Sequence, residues 1–296
     1  MPAQPETSST PKRLMLSTDL SARCDRALDR STQLANEWQA ELVALNVLEA
    51  AQAPDQILTW SDGAGLKELE FIAQQKLQED LTGFTGAVSL RIAQGDAAQQ
   101  VKDIAADTGS ELVVTGMARD EPLGRFVLGS TVERLARSLP QPLLVVRNRP
   151  RGSYLRIVVA CDFSDSSREA LQTAARLFPL RELVIYHALS QPMPGVAAQD
   201  SAELQAKRIE EGACAEFIAS CHLPEQVRQR LRVVIEPGPL ERSLARYVRN
   251  RGIDLAIIGA QGKGALLDML LGSSATRLLD WLSCDTLIVR KAAAAR

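Results

Sequence analysis

The chain has 296 residues, of which 46% are hydrophobic and 24% are charged. At ~150 residues per domain, this is enough for about two domains with cores of their own, and it excludes an intrinsically disordered chain. The 34 Lys and Arg nearly balance the 36 Asp and Glu, and the net charge of −2 argues against a protein that binds nucleic acid by charge alone.

Further classes of protein are excluded by the histidines, the cysteines and the N-terminal segment. Only two histidines occur, His187 and His222, which excludes multi-histidine metal sites such as H-E-x-x-H. The five cysteines form no C-x-x-C pair, so we expect reduced and mostly buried thiols. Residues 1–11 are polar, and no apolar run approaches the ~18 residues of a membrane span. These features predict a cytoplasmic protein with neither a membrane nor a nucleic acid as partner.

Short apolar runs alternate with amphipathic stretches through the first half of the chain. The predicted strands are Leu14–Ser17, Leu42–Val47, Ser89–Ala93, Leu112–Thr115 and Leu143–Val146. The helical patterns between them are Asp25–Trp38, Leu66–Leu81, Gln99–Asp107 and Val132–Leu139. Continuous runs of Val, Ile and Leu flanked by amphipathic helices are typical of parallel strands that are covered on both faces.

The second half repeats the first. Its predicted strands are Ile157–Ala160, Leu183–Ala188, Arg232–Ile235, Leu255–Ile258 and Thr286–Val289. Motifs recur at an offset of 143 residues, as when Asp19-Leu20-Ser21 returns as Asp162-Phe163-Ser164; around the second strand the offset is 141. A period of this length is domain-sized and far above the ~20–50 residues of solenoid repeats. With a linker at residues 147–152, the sequence predicts domains at residues 1–149 and 150–296. The predicted fold is α/β, with two tandem doubly wound, Rossmann-like domains that each contain a five-stranded parallel sheet.

An aspartate follows the first strand of each predicted domain. Asp19 and Asp162 come several residues before the next helix. A carboxylate there could accept hydrogen bonds from a ligand, or it could cap the helix. The sequence leaves both interpretations open.

A glycine-rich loop follows the fourth strand of the second domain. It runs from Gly259 through Gly262 and Lys263 to Gly264, and Gly272-Ser273-Ser274 then opens the next helix. Glycines let backbone amides approach an anion, and a helix N-terminus adds partial positive charge. The combination suits a polyphosphate, although many glycine clusters are plain turns. The spacing matches neither the Walker A loop nor the Rossmann fingerprint.

These residues resemble the universal stress proteins, whose nucleotide motif is Gly, two residues, Gly, nine residues, Gly, then Ser or Thr. The second domain fits this motif completely with Gly259, Gly262, Gly272 and Ser273. Both halves resemble the family, over residues 12–291. The resemblance implies a regulatory, stress-induced protein that binds ATP, often with a divalent cation such as Mg²⁺ on the phosphates, and that hydrolyses it very slowly if at all.

The same resemblance implies where a nucleotide would lie. Asp162 and Ala188 would lie at the adenine and ribose end, and Ile258 and Gly259 would line the nucleoside. The phosphates would be held by Gly262, Gly272 and Ser273, with Ser274 as a further hydroxyl donor. His187, at the end of the second strand, is expected to be structural.

The first domain departs from the motif. Arg119 stands where the second domain has Gly262, and Glu121 adds negative charge nearby. Arg119 would be a poor fit if the position needs positive φ or close phosphate approach, but it could instead bind phosphate itself. Residues 130–133 read Ser-Thr-Val-Glu, which predicts a capping box that satisfies its own helix start. We therefore expect the first domain to be a degenerate nucleotide site.

The resemblance implies edge-to-edge pairing of domains through their fifth strands, which here are Leu143–Val146 and Thr286–Val289. We therefore expect an intramolecular pseudo-dimer, and the chain could also form a homodimer. The favoured interpretation is an ATP-binding regulatory module with an unknown protein partner. The alternatives are a slow ATPase or nucleotide-transferring enzyme on a related fold, and a ligand-free interaction scaffold.

Overall fold

The computed structural model describes residues 10–49, 64–117, 119–120, 126–127, 129–189, 199–262 and 271–291. The chain divides into two compact units. One contains Pro11–Ser153, and the other contains the described residues from Tyr154 onward. We refer to these units as the first and second domains.

The first domain alternates strands and helices. In chain order its elements are β1 (Arg13–Thr18), α1 (Asp25–Trp38), β2 (Glu41–Leu48), α2 (Ala64–Asp80), β3 (Val88–Gln94), α3 (Ala97–Asp107), β4 (Leu112–Gly116), β5 (Arg119–Asp120), β6 (Phe126–Val127), α4 (Ser130–Ser138) and β7 (Leu143–Val146). Five of the strands form a parallel sheet in the order β7-β4-β1-β2-β3. The order reverses at β1, and this is where the fold opens a cleft above the carboxyl ends of the strands.

The second domain repeats this topology. Its elements are β8 (Arg156–Ala160), α5 (Asp165–Leu177), β9 (Glu182–Leu189), α6 (Gln199–Ser220), α7 (Glu225–Arg228), β10 (Leu231–Pro237), α8 (Leu240–Arg251), β11 (Leu255–Gly259), α9 (Ser273–Trp281) and β12 (Asp285–Val289). The parallel sheet order is β10-β9-β8-β11-β12, the same order as in the first domain. The predicted doubly wound α/β fold, with a five-stranded parallel sheet in each half, is confirmed.

The central strands are buried on both faces, as their unbroken apolar sequences predict. Every residue of β4 is buried, and so is every residue of β11 except Gly259, which is half-buried. The edge strands β3 and β10 contain only exposed and half-buried residues. No helix in the described ranges is long and apolar enough to cross a membrane.

The duplication extends to unusual backbone conformations. Leu20 has φ of 58°, and Phe163, which is 143 positions later, has φ of 63°. This left-handed region is rare for residues other than glycine. Gly95 and Gly238 share the same offset and have φ of 118° and 116°. Each domain therefore repeats the same strained turn after its first strand and the same glycine turn after its third.

The sequence missed one element of the first domain. The short strands β5 and β6 pair antiparallel, with Arg119 opposite Val127. Two-residue strands carry no usable periodicity, so their pairing could not be predicted. The structure therefore places the backbone of Arg119 in a small hairpin.

Candidate functional site

A cavity of about 350 Å³ lies at the carboxyl ends of β8 and β11 in the second domain. It also reaches the first turn of α9. Its described lining is Ala160, Cys161, Asp162, Ser167, Leu240, Ile258, Gly259, Gln261, Gly262, Gly272, Ser273, Ser274, Ala275 and Leu278. Seven of the eight binding residues predicted from the sequence therefore line one cavity, and Ala188 is the exception.

Asp162 does not cap the following helix. The cap of α5 is Ser164, whose hydroxyl accepts a hydrogen bond from the amide of Ser167 at 3.2 Å. Asp162 Oδ1 accepts hydrogen bonds from the Ser164 amide at 3.0 Å and from the Ser167 hydroxyl at 2.7 Å. These contacts hold the carboxylate rigidly beside the cavity. The cap interpretation of Asp162 is therefore wrong, which leaves its role toward a ligand as the open prediction.

Two of the motif glycines lie close to other residues of the second domain. A Cβ at Gly259 would lie 2.8 Å from Cβ and 2.9 Å from the carbonyl carbon of Ser166, so this glycine lets α5 pack directly against β11. A Cβ at Gly262 would lie 2.9 Å from Asp162 Oδ2. Neither glycine has positive φ. Close packing against the backbone of α5 therefore explains the glycine at position 259. At position 262 an added Cβ would meet only the end of the Asp162 side chain.

The first turn of α9 offers donors to the cavity. Gly272 is the cap residue, with no side-chain cap, and the helix begins at Ser273 as predicted. The Gly272 amide donates to the Ala260 carbonyl at 2.8 Å, so it closes the loop and is not a donor to a ligand in this structure. The amides of Ser273, Ser274 and Ala275 belong to the first turn and have no acceptor within the helix. This helix start is suited to an anion.

His187 and Ala188 lie at the end of β9, outside the cavity lining. His187 Nδ1 is 2.7 Å from the carbonyl oxygen of Cys161, and its ring stacks on Phe163 at a centroid distance of 4.4 Å. Its Nε2 lies 3.5 Å from a carboxylate oxygen of Glu210. These contacts fit the structural role expected for His187. Ala188 pairs in register with Glu236 of β10.

Sequence reasoning missed several cavity residues. Ser167 and Gln261 line it, and the clustered serines after Asp162 were the signal that could have pointed to Ser167. Cys161 also lines it, but burial raises the pKa of its thiol to about 12, so it stays protonated and is a poor nucleophile at neutral pH. Lys263, Gly264 and Asp268 lie outside the described residues.

The first domain has a cavity of about 400 Å³ at the corresponding edge of its sheet. Its described lining is Ser17, Thr18, Asp19, Leu20, Arg23, Cys24, Asn46, Val47, Leu48, Glu49, Leu69, Ala97, Thr115, Gly116, Met117, Thr131 and Val132. Asp19 Oδ1 accepts hydrogen bonds from the amide and hydroxyl of Ser21 at 2.9 and 2.6 Å. Burial alone would raise the pKa of Asp19, but these hydrogen bonds, with those of Cys24 and the charge of Arg23, outweigh it and lower the pKa below its ordinary value. Asp19 is therefore ionised at neutral pH.

The capping box predicted at residues 130–133 is wrong. The cap of α4 is Gly129, which has no side chain to cap the helix, and Glu133 instead pairs with Arg137 one turn later at 2.5 Å. The i,i+4 ion pair competes successfully for the Glu133 side chain. The start of α4 thus resembles that of α9. The predicted degeneracy of the first domain then depends on Arg119, not on a self-satisfied helix. Glu121 lies outside the described residues.

The described residues contain no group of three or more His, Cys, Asp or Glu side chains that could hold a metal ion. The cysteines are free, and Cys161, Cys214, Cys221 and Cys284 are buried, as expected. The polar groups that the described residues bring to the second-domain cavity are Asp162, the serine hydroxyls, the glycine backbone and the start of α9.

Each domain thus has a doubly wound α/β fold with a cleft above the carboxyl ends of its strands, which is the arrangement of a small-ligand-binding domain. The model of the universal stress protein family matches residues 10–147 and again residues 153–290. The chain belongs to the universal stress protein family and carries its domain twice.

The chain is also similar to individual proteins. Universal stress protein MJ0531 of Methanocaldococcus jannaschii is 27% identical over 150 residues, which cover 50% of this chain and 88% of that protein. The solved structure of a universal stress protein from Archaeoglobus fulgidus covers 94% of this chain and 98% of its own, with a TM-score of 0.68 and 18% identity. A universal stress protein solved in complex with cAMP matches 47% of this chain and 98% of its own, with a TM-score of 0.33 and 24% identity.

Proposed function

We propose that the second domain binds ATP and that the chain acts as a nucleotide-responsive regulatory module in the cytoplasm. One observation carries the proposal: a single cavity brings together Asp162, the closely packed glycine segment and the start of α9. Family membership makes a nucleotide the ligand to test first. Binding would act by favouring one conformation or partner surface over another.

The residues present fit a triphosphate. The first-turn amides of α9 and the hydroxyls of Ser273 and Ser274 can donate to phosphate oxygens, and the dipole of the helix favours their negative charge. The bare backbone at Gly262 lets the same oxygens approach from the other side. When bound, ATP would bring its charged phosphates, with Mg²⁺ on them, into the cavity. The protein would respond to the presence of this nucleotide.

The nucleoside would extend over the ends of the strands. Ile258 and Gly259 line this part of the cavity and would lie beside the base. Asp162 can accept a hydrogen bond from a ribose hydroxyl or an amino group. Ala188 does not line the described cavity. We keep it as a predicted contact with the adenine, which would then extend beyond that lining.

The asymmetry between the domains predicts about one nucleotide per chain. Arg119 occupies the motif position of Gly262, where a Cβ in the second domain would lie 2.9 Å from Asp162 Oδ2. Calorimetric titration of the full chain with ATP should give a stoichiometry near one, and Arg119→Gly should leave the high-affinity site unchanged. A stoichiometry near two that falls to one in Arg119→Ala would show that Arg119 is a phosphate ligand and that both domains bind.

Asp162 and its neighbour Ser164 give a matched pair of variants. Asp162→Asn keeps the size of the side chain and removes its charge, and we expect it to weaken ATP binding about tenfold, or ~1.4 kcal/mol. Ser164→Ala removes the cap of α5 and should cost about 1 kcal/mol of stability while leaving affinity unchanged. Titration and denaturant unfolding measure the two effects. If Asp162→Asn and the wild type have equal ATP affinity, Asp162 stabilises the loop and does not contact the nucleotide.

A further inference from the structure

The strand β10 forms an edge of the second-domain sheet. It pairs with β9 on one side, and no described strand pairs with its other side. Such an edge presents backbone amides and carbonyls to which another strand can bond, and proteins usually block it with lysine or proline. β10 contains no lysine, and its one proline is the last residue, Pro237. Val233, near the middle of the strand, is 43% exposed. The strand therefore lacks these usual barriers to pairing.

The side chains of β10 alternate between the two faces of the sheet. Glu236 lies on the face that α8 covers, because its carboxylate is 3.1 Å from a guanidinium nitrogen of that helix. Alternation along a strand places Arg232 and Val234 on the same face. Val233 and Ile235 face the other way, and with residues of α6 they line a groove of about 600 Å³. Both charged side chains of the strand thus share one face, and the other face is apolar.

A second copy of β10 is complementary to the first. When two identical strands pair antiparallel about a two-fold axis, one residue lies opposite itself, because directly opposed side chains must share a face. With Val234 on the axis, Arg232 of each copy lies opposite Glu236 of the other. On the α6 face, Val233 lies opposite Ile235. Opposite charges and apolar pairs at directly opposed positions both stabilise an antiparallel pair.

Other pairings lose this match. If the axis moves by one residue, to Val233 or Ile235, a charged side chain lies opposite Val234 instead of a partner of opposite charge. The matching edge strand of the first domain, β3, has Arg91 as its single charged residue. No register of β3 with itself can therefore form an ion pair. The self-complementary pattern belongs to β10 in one register.

The two charged groups can form these pairs without breaking the contacts that they already make. Arg232 lies 3.2 Å from a carboxylate oxygen of Glu182, but its side chain is 70% exposed, and a guanidinium has five N–H donors. Glu236 accepts hydrogen bonds from Arg246 and Tyr186, at 3.1 and 3.2 Å, and both end on Oε2. Its other oxygen can accept from a second guanidinium.

We propose that the chain forms a homodimer in which the β10 strands of two copies pair antiparallel, with Val234 on the two-fold axis. The sheet of the second domain then continues from one copy into the other. Two ion pairs between Arg232 and Glu236 flank the axis on the α8 face. On the other face, Ile235 of each copy packs beside Val233 of the other, at the groove below α6. The dimer does not depend on ATP.

Two single variants of the full chain test this register. Arg232→Glu sets two carboxylates opposite each other in both pairs, and Glu236→Arg does the same with two guanidiniums. Each variant alone should self-associate at least about tenfold more weakly than the wild type, because like charges directly opposed destabilise a strand pair. Mixing the two variants restores both ion pairs between unlike copies. We expect the mixture to form a heterodimer of near wild-type affinity.

Analytical ultracentrifugation from ~1 μM to ~100 μM measures the association, and native mass spectrometry identifies the heterodimer by its two unlike chains. The matched control is Arg91→Glu, which makes the same charge reversal on the edge strand of the first domain and should associate like the wild type. Hydrogen exchange should show peptides of β10 becoming more protected as the protein concentration rises, whereas peptides of β3 should not change.

Three results would each overturn the proposal. A wild type that stays monomeric over this range would show that the edge of β10 does not bind a second copy. A dimer that persists unchanged in Arg232→Glu would use another surface. A mixture of the two variants that associates no more strongly than either variant alone would show that these side chains do not face each other. ATP binding is read separately, from peptides of β11 and α9, so either proposal can fail without the other.

Discussion

Gly262→Asp is expected to reduce ATP affinity at least 100-fold, which corresponds to ~2.8 kcal/mol. Two effects combine. The new side chain adds bulk beside the backbone at this position, where a Cβ would already lie 2.9 Å from Asp162 Oδ2. Its carboxylate also repels the phosphates. Calorimetric titration with ATP measures the loss.

The matched control is Gly212→Asp, in α6. It makes the same chemical change in the same domain, at a glycine where a Cβ meets nothing within 4 Å. We expect wild-type ATP affinity. The new carboxylate at position 262 also lies against Asp162. A loss of ATP affinity in Gly262→Asp can therefore come from a displaced loop, and a second variant is needed.

Ser274→Asp separates loss of binding from loss of structure. The residue lines the cavity in the first turn of α9, where a negative side chain favours the helix through its dipole. The variant should therefore keep or slightly raise its melting temperature and still lose most ATP affinity by repulsion. Unchanged affinity in Ser274→Asp would show that the phosphates do not lie at this helix start.

Gly259→Ala is expected to destabilise the second domain by ~3 kcal/mol, the upper end of the usual cost of overpacking. The added methyl group would lie 2.8 to 3.0 Å from Ser166 Cβ, carbonyl carbon and carbonyl oxygen. Two of these are backbone atoms of α5, so the helix itself must move from the sheet. Denaturant unfolding with hydrogen exchange on peptides of each domain measures the loss.

The first domain supplies the comparison. At Gly116 a Cβ would lie 3.1 Å from the Arg23 carbonyl oxygen and 3.5 Å from Cys24 Cα. This milder contact should make Gly116→Ala cost only about 1 kcal/mol, and it should affect the first domain alone. If both alanine variants are equally stable, helix packing does not explain why glycine ends β4 and β11.

The sheets could be predicted from the sequence because their signal is local and repeated. The central strands are short apolar runs. The duplication shows the pattern of each strand twice, at matching positions of the two halves. All ten predicted strands form, with ends that differ by at most two residues. Gly272 as the cap of α9 could also be predicted, since the glycine directly precedes an amphipathic stretch.

The details of the sites could not be predicted, because they depend on contacts between distant parts of the chain. Asp162 and Gly262 are 100 residues apart and meet because β8 and β11 are neighbours in the sheet. The capping box failed because Glu133 had an alternative partner in Arg137.

The most direct test of the central claim is the nucleotide content of the purified chain. The protein is denatured to release bound molecules, which are identified and counted by mass spectrometry. We expect an adenine nucleotide at up to one per chain from the wild type, and none from Ser274→Asp. If the wild type releases no nucleotide and native mass spectrometry shows no uptake of added ATP, the second domain is not an ATP site.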